Sequence, residues 1–192
     1  MAKDFKIIVI SSPDTVENES EKLTRLLEAG VDYVHIRKPC SSLREIKDLI
    51  EDIPYQYRKR IKLHGHFELL NEMNLGGAHL NSRNPVAPAT AMAVSRSCHN
   101  LQECRENKDL EYVTLSPIYD SISKKNYPSA FNLNEKFVIM PGEKIIALGG
   151  VTPDKFFELR KKGFFGVALL GYIWNNDFDE ALKALKTQIE TI

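Results

Sequence analysis

The sequence predicts an α/β protein: a compact (β/α)8 TIM barrel formed as a single domain by residues 1–192. Short apolar runs rich in β-branched residues alternate with segments of helical period along the whole chain, without a linker. Eight such units follow one another, and eight parallel strands with crossover connections are typical of a closed barrel. With 43% hydrophobic residues, a chain of this length can form one core but not two.

The first four units occupy the first half of the chain. The helix after the first strand is expected to end at Gly30, which suits the left-handed position after a last helical turn. The second helix carries an apolar stripe that begins at Leu43 and ends before Pro54. A short third helix is expected around residues 67–73, and only a weak helical segment after the fourth strand. The strands themselves are predicted at residues 6–10, 33–37, 61–65 and 77–80.

The other four units complete the barrel. Asn100 is the expected N-cap of the helix after the fifth strand, and a long polar loop with at most a short helix follows the sixth. Thr152, followed by a proline, predicts the start of the seventh helix. The closing helix is expected to be capped at residue 176 or 177. The strands are predicted at residues 91–97, 112–117, 144–149 and 166–173.

A doubly wound parallel sheet is the alternative architecture. It normally uses fewer strands, and it places its ligand at a switch point that a G-x-G-x-x-G turn marks after the first strand. This chain has Ser11-Ser12-Pro13 at that place. We therefore favour the barrel.

Composition and charge narrow the expected ligand to a small molecule. Lysine plus arginine and aspartate plus glutamate both number 26, so the formal charge of zero argues against nucleic-acid binding. No apolar run approaches the roughly 18 residues of a membrane span, and the first residues lack a signal pattern, so we expect a soluble, cytoplasmic protein without a membrane partner. The three cysteines are expected to be reduced thiols. A homo-oligomer is left open.

The histidines are grouped in one part of the predicted barrel. They fall in or just beyond the C-terminal half of strands two to five, and the carboxyl ends of the strands form the active-site face of a barrel. His35 and Arg37 lie two apart on one strand, so they are expected to project to the same side and to bind an anionic substrate. The five histidines are His35, His64, His66, His79 and His99.

Part of this group indicates an alternative, a metal hydrolase. His64-x-His66 on a strand, with His79 and His99 nearby, has a spacing that lets two histidines reach one ion. Catalytic metal sites usually add a carboxylate, and none ends strands three, four or five. We therefore expect no metal site from these residues.

Phosphate binding is indicated at the ends of strands six to eight. Small residues at strand ends let backbone N–H groups approach an anion, and hydroxyls and a lysine add donors and charge. Barrels often bind phosphate after strands seven and eight. The residues that predict this phosphate cup are Ser121, Ser123 and Lys124 after strand six, Gly149 and Gly150 after strand seven, and Gly171 at strand eight.

Five short segments carry a family resemblance by their order and spacing. They are Tyr33-Val34-His35-Ile36-Arg37; Gly77-Ala78-His79-Leu80; Ser97-Cys98-His99 followed by Glu103; Leu115-Ser116-Pro117-Ile118-Tyr119 leading to Ser121-Ile122-Ser123-Lys124; and Ala147-Leu148-Gly149-Gly150-Val151. Over nearly its whole length the chain resembles the thiamine phosphate synthase/TenI superfamily. The synthase joins a pyrimidine pyrophosphate to a thiazole phosphate with magnesium, whereas TenI-like relatives tautomerise a thiazole carboxylate phosphate to its aromatic form.

The resemblance implies a role for each matching residue. Arg37 matches an arginine of the family's Gln-Leu-Arg-x-Lys strand, and Ser97 matches the serine beside the pyrimidine. His99 matches the histidine that TenI-like tautomerases use. Lys124 would contact phosphate or pyrophosphate and is, with His99, a candidate catalytic residue. The phosphate loop of the family matches Ser121, Ser123 and Lys124, and its thiazole phosphate site matches Gly149, Gly150 and Gly171.

The departures from the family pattern concern magnesium. The family's glutamine is His35 here, and its lysine is Pro39. The synthase's Asn-Asp pair after strand three falls on His64-Gly65, and its aspartate after strand four falls on Asn84. Magnesium prefers carboxylate oxygens, which these residues do not provide. We therefore expect no cofactor, with magnesium required only if the protein is a synthase.

The resemblance and its departures predict a thiamine-biosynthesis enzyme that binds a thiazole phosphate, with TenI-like tautomerisation as the reaction. His99 would move the proton, because histidine ionises near neutral pH. Two alternatives stay open: an active thiamine phosphate synthase, and a non-catalytic protein that binds thiazole phosphate. The site is expected to be cationic, with acidic residues mainly on the outer helices.

Overall fold

Eight parallel strands form the centre of the computed structural model, which describes residues 5–120, 129, 131, 133 and 137–192. Each strand pairs with the next along the chain, and the last pairs with the first, so the sheet is a closed barrel. The predicted (β/α)8 barrel is confirmed. The strands are β1 (Lys6–Ile10), β2 (Tyr33–Ile36), β3 (Ile61–Leu63), β4 (Gly77–Leu80), β5 (Val94–Cys98), β6 (Tyr112–Leu115), β7 (Ile145–Leu148) and β8 (Gly166–Leu169).

The helices surround this barrel. In the described part of the chain, none of them is both long enough and apolar enough to cross a membrane. Two 3₁₀ turns, Tyr55–Arg60 and Pro153–Lys155, supplement them. The helices are α1 (Glu19–Glu28), α2 (Leu43–Glu51), α3 (Leu69–Glu72), α4 (Leu101–Glu106), α5 (Phe156–Lys161), α6 (Gly171–Trp174) and α7 (Phe178–Thr191).

Side-chain caps fix where several helices begin. Ser42 and Glu45 form a reciprocal capping box at α2. The predicted N-cap Asn100 accepts the N–H of Glu103 at 2.9 Å, and Asp177 caps α7. Thr152 stands at the predicted N-cap position, but it precedes a 3₁₀ turn and its side chain makes no capping bond.

The chain after β8 differs from the prediction. We expected the strand to run to residue 173, but it ends at Leu169, and Gly171–Trp174 form α6. The pairing of β1 with β8 ends at Val9 and Leu169, so the ladder offers no partner beyond that point. Ile173 is buried as a helical residue, with its N–H donated to the carbonyl of Leu170. A short apolar run does not distinguish a buried helix from a strand.

Residues 81–93, between β4 and β5, contain no helix. The Asn81 side-chain oxygen accepts the N–H groups of Arg83 and Asn84, a local turn that competes with helix formation. The weak helical segment expected here is therefore absent. In the second helix, Leu43 was expected to be buried but is 39% exposed, because it lies at the first helical position, away from the barrel.

Two buried layers hold the barrel together. The larger apolar layer lies between the strands and the helices, with Leu26, Ile50 and Phe156 among its members. The smaller layer lies inside the barrel and centres on residues of β1, β6, β7 and β8, such as Ile8 and Ile146. The inner positions of β2 to β5 carry buried polar side chains: His35, Lys62, His64, His79 and Ser95. Buried polar groups need hydrogen-bond partners, and here His35 contacts His64, His79 contacts Ser95, and Lys62 pairs with Glu111.

Candidate active site

A cavity of about 990 Å³ opens at the carboxyl ends of the strands. Residues that follow seven of the eight strands line it, including Arg37 after β2, Asn81 after β4, His99 after β5 and Gly149 after β7. This is the face where barrels of this kind bind their ligands. The cavity is therefore the candidate active site.

The three glycines of the predicted phosphate cup line this cavity together. Gly149 and Gly150 have positive φ angles of 94° and 62°, and Gly171 is the first residue of α6. Phosphate sites of barrels commonly combine the loops after strands seven and eight with the N-terminus of a short extra helix. Ser121, Ser123 and Lys124, the other predicted members of the cup, lie outside the described residues.

Close backbone approach explains why glycine occurs after β7. A Cβ atom on Gly150 would lie 2.2 Å from the carbonyl oxygen of Asp120, and one on Gly149 would lie 2.8 Å from the Cα of Pro117. The turn after β7 is thus packed directly against the chain after β6. Only residues without a side chain fit there in this conformation.

Cationic side chains line the other part of the cavity. Arg37 is half-buried, and burial, with a smaller effect of Arg83, lowers its pKa. Arg83 and Arg96 also line the cavity. Lys38 is engaged in a buried ion pair with Glu19 at 2.5 Å. Three guanidinium groups that line one cavity favour an anionic ligand.

The charge of the cavity is more mixed than the sequence predicted. Glu68, Glu103 and Glu106 also line it, and because Glu103 and Glu106 belong to the outer helix α4, a place on an outer helix does not keep an acidic residue out of the cavity. Glu103 holds the chain after β5 in place, because its carboxylate accepts the backbone N–H of His99 at 2.8 Å. Helix α4 starts directly after β5 and is short, which brings its glutamates to the rim.

Two predicted site residues of β5 and its loop occupy the cavity wall. His99 is exposed, and its Nδ1 lies 3.4 Å from the carbonyl oxygen of Ser116. A carbonyl only accepts, so this contact places the proton on Nδ1 and leaves Nε2 as the basic nitrogen. Ser97 lines the cavity from inside the barrel, with its hydroxyl 2.9 Å from Nε2 of His79.

The side chains of His35 and Arg37 lie in different parts of the barrel, although the two residues are only two apart in the sequence. Strand β2 ends at Ile36, so Arg37 follows the rim of the barrel while His35 points into its interior. His35 is fully buried and contacts His64 and Tyr112 instead of the cavity. Its predicted role in substrate binding stays a prediction, and any effect on a ligand would pass through these neighbours.

The interior of the barrel contains a cluster of three histidines, His35, His64 and His79. Nδ1 of His35 lies 3.0 Å from Nε2 of His64, and the rings of His64 and His79 stack with centroids 4.2 Å apart. Burial, and then the neighbouring histidines and Lys62, lower the pKa of His35 well below its ordinary value. Burial likewise lowers the pKa of His64, and lowers that of His79 to about 3. The three imidazoles are therefore neutral.

An ion pair lies beneath the histidines, at the amino-terminal end of the barrel. Lys62 is fully buried and pairs with Glu111, which also accepts the hydroxyl of Tyr33 at 3.0 Å. The ammonium group lies 4.8 Å and 5.3 Å from the ring centroids of Tyr33 and Tyr112. Burial lowers the pKa of Lys62, whereas Glu111 opposes this change.

Sequence reasoning missed this polar interior, including Lys62, Ser95, Tyr112 and Glu111. A usable signal was present: polar residues recur at every second position of β3 and β5, at Lys62 and His64 and at Ser95 and Ser97. In a parallel barrel such alternation places them all inside. The three histidines were noticed, but as part of a larger group at the rim.

His64 and His66 do not form the pair that the metal-hydrolase alternative requires. His64 faces the interior, whereas His66 has a positive φ of 50° and its Nε2 lies 3.2 Å from the carbonyl oxygen of Ser41. The strand ends at Leu63, so the two-residue spacing no longer places both side chains on one side.

The fold and cavity together define a (β/α)8 barrel protein with its site at the carboxyl ends of the strands. The family model for thiamine monophosphate synthase and TenI matches residues 7–173. The chain belongs to the thiamine monophosphate synthase/TenI family.

Individual relatives agree with this assignment. A solved structure of thiamine phosphate pyrophosphorylase from Bacteroides thetaiotaomicron is 32% identical, with a TM-score of 0.81, over 97% of this chain and 96% of that one. A protein of Aquifex aeolicus, provisionally named thiamine-phosphate synthase 2, is 26% identical over 79% of this chain and 88% of its own length. The fold also matches that of thiamine phosphate pyrophosphorylase from Pyrococcus furiosus, which is 16% identical with a TM-score of 0.74, over 98% and 96% of the two chains.

Proposed function

We propose that this protein acts in thiamine biosynthesis as a TenI-like tautomerase, which binds a thiazole carboxylate phosphate and converts it to the aromatic isomer. The observation that carries the proposal is the residue set where the family's Asn-Asp pair and its second aspartate fall. These places hold His64, Gly65 and Asn84, while a solvent-exposed histidine, His99, lies at the rim of the same cavity. Proton transfer needs one positioned acid–base group and no metal.

The residues at those three places do not fit magnesium. His64 turns into the barrel toward two other histidines, and the Asn84 amide donates to the backbone carbonyl of His64 at 2.8 Å. Gly65 has no side chain. The carboxylates that line the cavity in the described residues stand elsewhere, after β3 and on α4. We derive no magnesium-dependent step from this site.

The phosphate of the substrate is assigned to the end of the cavity that Gly149, Gly150 and Gly171 line. Backbone N–H groups that approach an anion closely, at glycine turns and at a helix start, are suited to bind a phosphate. Ser121, Ser123 and Lys124 complete the proposed cup, on the basis of the family resemblance. Arg37 is assigned to the second anionic group of the substrate, its carboxylate.

His99 is the proposed acid–base group. With its proton on Nδ1, the free Nε2 accepts a proton from the substrate carbon, and the imidazolium returns it to the acceptor atom of the aromatic product. Glu103 and the Ser116 carbonyl hold the backbone and ring of His99. General acid–base groups contribute about 10²- to 10⁴-fold to rates.

Thiamine phosphate synthesis is the second candidate, and the names of the relatives favour it. The Bacteroides thetaiotaomicron and Pyrococcus furiosus structures are both thiamine phosphate pyrophosphorylases. Three arginines, Arg37, Arg83 and Arg96, line the cavity and would have to neutralise the departing pyrophosphate in place of the family's carboxylate-bound magnesium.

A paired assay separates the candidates. The purified protein is given the pyrimidine pyrophosphate with thiazole phosphate and magnesium, and separately the non-aromatic thiazole carboxylate phosphate. We expect aromatisation in the second reaction and no pyrophosphate release in the first. Magnesium-dependent pyrophosphate release would overturn the tautomerase proposal. Absence of both reactions, with thiazole phosphate still raising the melting temperature, would identify a binding protein.

The role of His99 is tested in the same assay with His99→Ala and the matched rim variant His66→Ala. We expect His99→Ala to lower kcat for aromatisation by about 10²- to 10⁴-fold. The melting-temperature increase caused by the phosphorylated ligand should be kept, because His99 is assigned to proton transfer and not to the phosphate. His66→Ala should retain most of the activity. Unchanged kcat in His99→Ala would exclude the proposed role.

A further inference from the structure

We propose that His35, His64 and His79 form a binding site for one divalent transition-metal ion of the kind that prefers imidazole ligands, such as Zn²⁺ or Co²⁺. These side chains come from β2, β3 and β4 and meet inside the barrel. The site shares only His64 with the places that correspond to the family's magnesium site, and it uses imidazole nitrogens and no carboxylate. It is also independent of the proposed tautomerase reaction.

The nitrogen atoms are close enough for one ion. One ring nitrogen from each histidine lies within 4.8 Å of the other two, and the His35–His64 pair is separated by 3.0 Å. Two nitrogens bound to one tetrahedral zinc at about 2.1 Å lie roughly 3.4 Å apart. The His35–His64 pair is therefore already near this separation, and rotation of the rings must bring the most distant pair, at up to 4.8 Å, closer together.

Hydrogen-bond partners outside the three-histidine cluster orient the rings of His79 and His35 in the way that metal sites require. Ser95 lies 2.8 Å from Nδ1 of His79, and its own hydroxyl proton is directed to the carbonyl of Ala78 at 3.4 Å. Nδ1 of His79 is therefore the donor, and the lone pair of its Nε2 accepts the Ser97 hydroxyl at 2.9 Å, a hydrogen bond that a metal ion would replace. On His35, Nε2 lies 2.7 Å from the hydroxyl of Tyr112, which accepts a proton from Nε2 when Nδ1 binds a metal. Such hydrogen bonds from the second ring nitrogen are typical of metal-ligating histidines.

The charge state of the cluster also favours a cation. Neutral imidazole is the form that binds metals, and burial keeps all three rings neutral. Because each ring is neutral, the proton in the hydrogen bond between Nδ1 of His35 and Nε2 of His64 can move to the second nitrogen of its own ring, so metal binding releases no proton from the cluster. The nearby cation, Lys62, is already paired with Glu111. This pairing reduces its repulsion of a bound ion.

The cluster is reached from the cavity. His64 lines the cavity wall, and so does Ser97, whose hydroxyl contacts His79. Three protein ligands leave a tetrahedral ion with one further position, as in catalytic zinc sites. A water or an oxygen atom of a cavity-bound ligand would take that position.

The test is a Co²⁺ titration of tag-free protein that has first been stripped with a chelator. We expect one Co²⁺ per chain, with the visible absorption of tetrahedral nitrogen coordination. His79→Gln and His64→Gln should bind Co²⁺ at least about 100-fold more weakly, and Tyr112→Phe about 10-fold more weakly, since it removes an outer partner. His66→Gln, two residues from His64 but outside the cluster, is the matched control and should bind like the wild type.

A second measurement needs no variant and therefore does not depend on variant folding. Zn²⁺ should raise the melting temperature of the stripped wild-type protein, whereas Mg²⁺ at the same concentration should not. The proposal is overturned if Zn²⁺ leaves the melting temperature unchanged and no tetrahedral Co²⁺ spectrum appears. It is equally overturned if His66→Gln weakens binding as much as His79→Gln, since the ion would then lie at the rim. Neither result bears on the tautomerase assay, which is performed with chelator present.

Discussion

Single residues at the rim of the barrel decide how closely the loops approach one another. Two features require glycine at position 150. Its φ is positive, and a Cβ atom would lie 2.2 Å from a carbonyl oxygen. Gly142 also has a positive φ, of 90°, but a Cβ atom there would meet open space, so only its backbone conformation favours glycine. Substitutions at these two glycines therefore distinguish the cost of a left-handed backbone from the cost of a steric collision.

We predict that Gly150→Ala lowers the free energy of unfolding more than Gly142→Ala. Left-handed backbone costs a non-glycine residue about 1–2 kcal/mol, which both variants carry. Collision with Asp120 should add at least about 1 kcal/mol to the cost of Gly150→Ala. Urea unfolding of the two variants measures the difference. Equal costs would show that the loop after β7 moves freely away from the chain after β6.

At the scale of one element, α2 forms part of the cavity wall and its start is fixed by a capping box. Ile46 of this helix lines the cavity. The Ser42 hydroxyl accepts the N–H of Glu45 at 3.3 Å, and the Glu45 carboxylate accepts the backbone N–H of Ser42 at 2.7 Å. Two backbone N–H groups that lack intrahelical partners at the helix start are thereby satisfied.

We predict that Ser42→Ala lowers the free energy of unfolding by about 1 kcal/mol, the ordinary cost of losing a side-chain cap. Ser41→Ala is the control, because the Ser41 hydroxyl makes no hydrogen bond to a described residue. Chemical denaturation of both variants provides the measurement. If the free energy of unfolding falls equally in Ser42→Ala and Ser41→Ala, the capping box makes no measurable contribution to stability.

For the whole molecule, the buried histidines make stability depend on pH. An unfolded histidine has a pKa near 6.5, whereas burial lowers the pKa of folded His79 to about 3. Between these values the unfolded chain binds more protons than the folded one. The free energy of unfolding therefore falls as the pH is lowered from about 6.5 toward 3, by up to about 1.4 kcal/mol per pH unit for each such histidine. His35 and His64 act in the same direction.

We predict that His79→Gln reduces this pH dependence. The change in unfolding free energy between pH 7 and pH 5 should be smaller than in the wild type, by up to about 1.4 kcal/mol per pH unit. His66→Gln, which leaves the interior cluster intact, should retain the wild-type dependence. Urea unfolding at the two pH values tests both variants. An identical pH dependence in His79→Gln would mean that folding does not lower the pKa of this histidine.

Much of the fold follows from local features that the sequence displays directly. The alternation of apolar runs and helical segments predicted eight βα units, and Asn100 and Asp177 were recognisable caps. The prediction that β8 extends to residue 173 was wrong. The residues after Leu169 are apolar and partly buried like those of a strand, but the pairing of β8 with β1 has already ended there. The glycines after β7 were placed correctly in the cavity wall, since their position depends only on the end of a strand.

The sequence by itself determined the barrel, the strand order and the face that carries the candidate site, because these depend on periodicity and chain direction. Only the tertiary structure decided which polar side chains meet. His35, His64, His79 and Tyr112 come from four strands, and closure of the barrel brings them together. Likewise, His35 and Arg37 separate because β2 ends at Ile36, and the pairing with neighbouring strands decides where a strand ends.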